Sequence, residues 1–359
     1  MSAWHQSLNQ QRTPYLLCAR LGGILIGLLA LGVEELPVFG SVKRVRRLSL
    51  LGEGFGGADY LDLLAKPETA PAAATAIFDQ LARKTDFDLL ELDGLAADSA
   101  NLALLAGQFE NSQQFRHRCD ARFVCPQIEL AGDWSRLLKR SRRSENFKRR
   151  LRQIRNYNGF EYRSVTAPAE AEAALERFFT LHDARWAAQG GSDFTGHASL
   201  RAFHRDLVQR LAQAGLLRFD ELWIEGACRA SIYGIDDGQR YCLYNSGYDQ
   251  AWKHASPGLV LLGLSIEAAL QRGVKYYDLL RGDEGYKFDW STTTRQTVAV
   301  QVARRRLPVL LWLMQQQAQE SLRERLKAWL PTQTAETARR WYRAQKRERG
   351  LVARAPMEV

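Results

Sequence analysis

The chain has 359 residues, 46% of them hydrophobic, which argues against a disordered chain and gives room for about two domains. A formal net charge of +10 favours an anionic partner, whether a phosphorylated ligand, nucleic acid or an acidic membrane surface. Five cysteines without CxxC spacing and six histidines without HxxxH or HxE spacing argue against a disulfide framework and a zinc site, and a reducing cytoplasm fits best.

The opening stretch, MSAWHQSLNQQRTPYLLCAR, lacks the basic start and apolar core of a signal peptide. LGGILIGLLALGV (residues 21–33) is the most lipid-like run, but its thirteen residues fall short of the ~20 that a spanning helix needs. Gly22 and Gly23 sit between two apolar runs and predict a β-hairpin instead. RRLSLLG reads as a strand. GEGFGG (52–57) comes next and matches GxGxxG, but a dinucleotide fingerprint also needs an adjoining helix and an acid further on. Pro67 and Pro71 leave room for barely two turns of that helix, so GEGFGG is read as a glycine-rich loop. APAAATAIFDQLARKT then predicts a helix, and FDLLELDGL and ARFVCPQIEL predict strands. This alternation defines an α/β domain at residues 1–135.

Residues 136–158 form a basic linker. Its core, RLLKRSRRSENFKRRLRQIR, holds ten cations and one acid, Glu145. Phe147, Leu151 and Ile154 fall at i, i+4, i+7, the stripe of an amphipathic helix, with Ser144 as its N-cap. A phosphate-binding face and a linker helix with a solvated basic side fit the charge equally.

The α/β pattern restarts in residues 159–306. FEYRSVT is a strand. Two helices come after it, PAEAEAALERFFTLHDARWAAQ, ended by Gly190 and Gly191, and HASLRAFHRDLVQRLAQAG. LLRFDELWI, CRASIYGID and RYCLYNSGYD make an antiparallel meander, with DDG as a hairpin turn. SPGLVLLGLSIEAALQR then predicts a buried helix, with Ser256 as N-cap, Pro257 in the first turn and Gly273 past its end. VKYYDLL is the next strand. Strand, buried helix, strand is a crossover unit, so its two strands run parallel. The helix N-terminus with its free N–H groups thereby meets a strand's carboxyl end, where a pyrophosphate would bind. Residues 307–359 read as a basic helical tail carrying Trp312, Trp329 and Trp341, packed on the domain or laid along a membrane surface.

The second half resembles the GNAT acyltransferase superfamily through LHDARWAAQGG (181–191), YNSGYDQAWKHASPGLVLL (244–262) and YYDLLRGDEGYKFDW (276–290). Within it, the chain is similar to the CelD/BcsL-type group of cellulose and exopolysaccharide synthesis, related in fold to the FemABX peptidyltransferases. YLDLLAKP near Tyr60 and CPQIEL at Cys125 fit that group's N-terminal half. HASPG stands where the superfamily has a Gln/Arg-rich glycine signature, and the last fifty residues match nothing. The resemblance implies tandem GNAT-like domains of mixed α/β fold, with the first non-catalytic and shaping the acceptor cleft.

The chemistry that the resemblance implies uses an acyl-CoA donor, acetyl-CoA first, wedged between splayed strands. Ser256, Gly258 and Leu259 offer backbone N–H groups to its pyrophosphate, and Asn245 faces it. The acceptor amine or hydroxyl attacks the thioester directly, with Asp283 or Glu284 as base and Tyr286 as acid toward the leaving sulfur. Lys287 and Arg281 orient donor phosphate or acceptor, and Arg185, Trp186 and Tyr248 line the substrate side. The bland readings are a surface ion pair for Arg281 and Asp283, plain packing for Tyr286 and Trp290, and a core Trp186 covered by the Arg185 stem. The expected acceptor is a saccharide or cell-envelope precursor, and no metal is expected. Two alternatives stand beside this. One is an aminoacyl-tRNA donor, as in FemABX proteins, though the long heptad hairpin typical of them is not visible here. The other is a non-catalytic scaffold of a polysaccharide synthase, cytoplasmic but touching the membrane through its tail.

Overall fold

The computed structural model describes residues 4, 7–8, 12–39, 43–54, 58–186, 192 and 194–329. Two compact units emerge. The first contains the described residues up to Phe123 and from Gln296 onward, the second Val124–Arg295.

In the first unit, β1 (Thr13–Leu21) and β2 (Ile24–Pro37) form the hairpin expected of the glycine pair. Gly22 and Gly23 both have positive φ (57° and 84°), the turn geometry whose twist matches that of paired strands. β3 (Arg44–Leu50) pairs antiparallel with β2, and the short β4 (Leu64–Ala65) adds to the same strand. Residues 51–54 turn, and the next helix after β4 begins only at Ala70; positions 55–57 of GEGFGG lie outside the described residues. That helix, α1 (Ala70–Arg83), buries Ala73, Ala74, Ile77, Phe78 and Leu81, a helical stripe. It crosses over to β5 (Leu89–Ala96), which lies parallel to β3. α2 (Ala100–Phe109) was not expected. Its signal is weak but present: Ser99 caps it by accepting from the Asn101 N–H. β6 (Phe115–Glu129) carries the chain from the first unit into the second.

The basic linker is two helices, a correction to the single one expected. α3 (Trp134–Arg140) starts at Asp133, whose carboxylate accepts from the Arg136 N–H. It stops at Ser141, whose hydroxyl accepts from the Arg143 N–H. α4 (Ser144–Arg155) comes next. Ser144 is its first helical residue rather than its cap, and Arg143 holds the cap position without a side-chain bond. Phe147 and Ile154 are buried as the spacing requires.

β7 (Glu161–Val165), α5 (Pro168–Trp186), α6 (Ala198–Gln213) and the meander β8 (Leu217–Ile224), β9 (Ala227–Asp236), β10 (Arg240–Tyr248) occur in the expected order. The expected stop at Gly190–Gly191 lies outside the described residues. A 3₁₀ turn, Gln250–Ala255, leads to α7 (Pro257–Gln271), then β11 (Tyr276–Asp278) and α8 (Gly285–Trp290). Gly273 comes after α7 with φ 81°, as a C′ residue should. Strand order across this unit is β6-β11-β10-β9-β8-β7. Its pairs are antiparallel except β10–β11, the parallel pair expected of the crossover.

The apolar α7 buries Val260, Leu261, Leu262, Ile266 and Ala269 over the sheet. One polar knot ties it down. The fully buried Asp220 of β8 accepts hydrogen bonds from Tyr162 (2.8 Å), Ser164 (2.5 Å), Tyr241 (2.8 Å) and Ser265 of α7 (2.6 Å). Four donors on one carboxylate offset the cost of burying its charge.

The chain then returns to the first unit in β12 (Thr293–Arg304), another element that local sequence patterns did not predict. It pairs antiparallel with β5, so the sheet is mixed. α9 (Leu307–Trp329) completes the described chain, its Val309 and Trp312 buried against Val38, Val45 and Leu89. The start of the tail is therefore part of the first unit's core, and positions 330–359 lie outside the described residues.

Candidate active site

β10 and β11 pair over only three positions, Arg240↔Tyr276 to Cys242↔Asp278. Beyond them the strands part. After Asp278 the chain runs along β6 instead, with Leu279 N–H donating to Pro126 O and Gly282 N–H to Val124 O. β10 meanwhile continues with β9 to Tyr248. A wedge opens between residues 243–248 and 279–282, and Leu280 turns the corner with a left-handed φ of 54°. Strain of this kind in a non-glycine residue is held by its surroundings and concentrates at working sites. It also explains why the strand predicted as VKYYDLL is shorter than its apolar run.

A β-bulge begins where the pairing ends. The register of β10 on β9 steps from Leu243↔Gly234 to Asn245↔Tyr233, leaving Tyr244 as the extra residue. The bulge shifts the alternation of sides by one. Tyr241 and Leu243 pack in the cluster beneath α7, and after the bulge Tyr248 returns to that side. Gly247 instead meets α5: an added Cβ would sit 2.7 Å from the His182 backbone nitrogen. Asn245 shares the Gly247 face, away from α7, and its side chain accepts from the Ser246 N–H. Without the bulge Tyr248 would point at α5, so this one inserted residue aims it at the α7 N-terminus.

Ser256 precedes α7 in a left-handed conformation, φ 57°, and its side chain caps nothing. Its N–H is already taken by Lys253 O at 3.1 Å. Val260 N–H donates back to Ser256 O, so the N–H groups of Gly258 and Leu259 precede the helical ladder. Of the three residues read as pyrophosphate donors, these two keep N–H groups for a ligand. The Tyr248 ring lies alongside Gly258, 3.4 Å from where a Cβ would stand. Arg185 lies over both the Tyr248 ring (5.6 Å) and the Trp186 ring (5.4 Å). The helix end, Tyr248, Arg185 and Trp186 thus form one group of neighbours.

The stretch 278–290 divides into a rigid half and a facing half. Asp278 is fully buried and accepts from Gln127 (2.5 Å) and Arg240 (2.9 Å). Lys287 is buried too. Its ammonium donates to Arg281 O at 2.5 Å and pairs with Glu284 at 3.0 Å, which clamps the loop from within. Lys287 therefore acts on Arg281 and Glu284 rather than reaching out to a phosphate. Trp290 stacks edge-on against Phe147 of α4. Tyr286 is mostly buried, and that burial, with the Glu284 charge, pushes its phenol up to about 12 against the opposing effect of Arg185. A phenol held neutral in this way still carries the proton that a general acid would deliver to a leaving anion. Asp283 is exposed and makes no hydrogen bond or ion pair among the described residues. Glu284 is the carboxylate beside Tyr286.

The basic α4 is docked on α7. Phe147 occupies the space that a side chain at Gly263 would need, 2.2 Å from that Cβ position. Arg150 donates to His254 O (2.7 Å) in the turn before α7, and Arg143 pairs with Asp289 (2.6 Å). Arg140, Arg149, Arg152 and Arg155 remain exposed. A separate hollow of about 480 Å³ lies at the other end of the strands, near Leu217, Asp236 and Val274. Its Arg218 and Arg272 both pair with Asp236, so it offers no comparable chemistry. Among the described residues no group of His, Cys, Asp and Glu could hold a metal ion.

Sequence reasoning missed the bulge at Tyr244, the strained Leu280, the Asp220 knot, and His182 beneath Gly247. Only Gly247 left a sequence signal, a glycine inside a strand pattern, which marks a close backbone approach.

Residues 140–288 match the model of the acetyltransferase (GNAT) domain. No curated protein matches the chain in sequence. Among solved structures, the chain is similar to FemX (10% identity, TM-score 0.54, covering 84% of this chain and 90% of that one). It is similar to a conserved protein of unknown function from Bacteroides thetaiotaomicron VPI-5482 (12%, TM-score 0.53, 83% and 88%). It is also similar to the C-terminal domain of a putative lysylphosphatidylglycerol synthetase from Agrobacterium fabrum (10%, TM-score 0.50, 83% and 91%). At such identities the likeness is one of fold. With the matched domain it gives the second unit a GNAT-type fold.

Proposed function

We propose that the chain is an acyl-CoA-dependent N- or O-acyltransferase, with acetyl-CoA the first donor to test. The observation that carries this reading is the wedge between β10 and β11 with the α7 N-terminus in it. The Gly258 and Leu259 N–H groups suit the donor pyrophosphate, since a helix N-terminus favours negative charge. The donor supplies the thioester, and the acceptor attacks its carbonyl carbon directly. Glu284 takes the proton from the acceptor amine or hydroxyl. As the C–S bond breaks, the Tyr286 phenol gives its proton to the leaving thiolate. The Lys287 clamp keeps Glu284 in place, and Arg185, Trp186 and Tyr248 line the acceptor side. A saccharide or cell-envelope precursor is the acceptor class we favour, on the resemblance to the CelD/BcsL-type group. The basic tail, residues 307–359, is the contact we expect to a membrane surface or a synthase complex.

A second reading changes the donor to aminoacyl-tRNA. The exposed cations of α3 and α4 suit RNA phosphate, and the FemX and lysylphosphatidylglycerol synthetase likenesses fit aminoacyl transfer.

Calorimetric titration with acetyl-CoA, against desulfo-CoA and a Gly258→Asp variant, tests the first reading. Micromolar binding that disappears in the variant supports it, because the added carboxylate would oppose the pyrophosphate. A folded protein that ignores acetyl-CoA but binds tRNA with steep salt dependence moves the weight to the second.

A further inference from the structure

The lipid-like run singled out in the sequence begins at a hairpin tip that the proposed acyltransferase site does not use. At the β1–β2 turn, Leu21 is 66% exposed, Ile24 71% and Leu25 49%. Three large apolar residues flanking a two-glycine turn are not the scattered exposure that any surface shows. We propose that this tip, residues 20–25, inserts into the headgroup region of an anionic lipid bilayer.

Three observations favour lipid over another occupant. First, the backbone is prepared for a dry environment. Leu21↔Ile24 and Arg20↔Leu25 pair across the turn, and the Arg20 guanidinium donates to Gly23 O at 2.9 Å. The turn thus carries its own donor, and a polar backbone group must be satisfied before it enters hydrocarbon. Second, the charge is complementary. Residues 13–33 contain no acid, their one cation is Arg20, and it sits at the tip's rim. Lys66 adjoins Ala65, which pairs with Gly27 on the same hairpin, and is also exposed. Third, the shape is convex and narrow. A protein partner needs roughly 800 Å² per side, more than a two-residue turn offers, whereas shallow insertion of about 5–10 Å needs only a tip. Among the described residues no helix is long and apolar enough to cross a membrane, so the contact would be interfacial.

The test is co-sedimentation of the full chain with phosphatidylcholine vesicles, with and without phosphatidylglycerol. The expected result is binding that strengthens with phosphatidylglycerol and a partition coefficient that falls about a hundredfold in a Leu21→Ser/Ile24→Ser variant. Both side chains lie in water, so the variant should keep the parent's thermal unfolding curve. A Leu21→Trp variant should gain fluorescence that brominated lipid quenches. Equal binding by the serine variant would place the contact elsewhere, for example in positions 330–359, and overturn the proposal. So would absence of binding to every vesicle, or a change of oligomeric state in the serine variant, which would make a second copy the occupant.

Discussion

Beside the candidate site, two histidines sit in an aromatic packet without hydrogen bonds to their inner nitrogens. His204 of α6 is fully buried, with both ring nitrogens unpaired, and His182 of α5 leaves Nδ1 unpaired. The Phe194 ring lies tilted against His204 with centroids 4.5 Å apart, and Phe178, Tyr233 and Tyr244 close the packet. Burial pushes His204 down to about 3 and His182 down to about 4. An unfolded histidine has its pKa near ~6.5. Both folded values are depressed, so below that point the unfolded chain binds protons that the folded chain does not, and stability falls as pH falls. The contribution is complete above the unfolded pKa and is lost downward toward the folded ones. Going from about pH 8 to about pH 5, each histidine costs ~2 kcal/mol, ~4 kcal/mol together. This figure depends little on the folded values, provided both lie below about 4.5. Urea unfolding monitored by tryptophan fluorescence at the two pH values measures the loss. In His204→Gln the loss should shrink by ~2 kcal/mol, whatever the substitution costs at either pH alone. An unchanged loss, or a His204 ring that titrates near its ordinary value in the folded protein, would refute the reasoning.

Gly247→Ala places a methyl group 2.7 Å from the His182 backbone nitrogen, so α5 must move off β10. The expected cost is ~3 kcal/mol, read as a lowered Tm with acceptor binding weakened alongside. Ser265→Ala removes one donor from the buried Asp220 and a partner of the Tyr277 hydroxyl. That should cost ~2 kcal/mol in denaturant titration, and less would mean water replaces the hydroxyl. Tyr286→Phe should lower kcat about a hundredfold while leaving KM for the donor unchanged, as loss of a proton donor used only in the transition state requires. An unaltered kcat would remove the phenol from the mechanism.

Much of the second unit was legible in sequence because its signals are local. The helix–helix–meander–helix–strand order arises from apolar periodicity, with Asp236–Gly238 as a turn and Pro257 and Gly273 as helix limits. The parallel β10–β11 pair is a consequence of the crossover rule. The first-unit hairpin likewise came from two glycines between apolar runs. Elements with weak local signals were missed. β12 looks like the polar end of the second domain by composition, and it becomes a strand only because β5 offers it an edge. The N-capping serine expected at 144 lost to a break at Ser141, where tertiary contact with Asp289 ends α3.

The composition and order of residues by themselves determined the fold class, the crossover helix and the candidate stretch at 278–290. Periodicity and turn chemistry act between residues a few positions apart. Only the tertiary structure decided which of those residues meet. It placed Tyr248 at Gly258 by one bulged residue, turned Lys287 inward to clamp Glu284, occupied the Ser256 N–H, and set Arg185 over the Tyr248 ring. Each of these depends on strands and helices distant in sequence coming to lie against one another, and no local pattern encodes the register at which they do so.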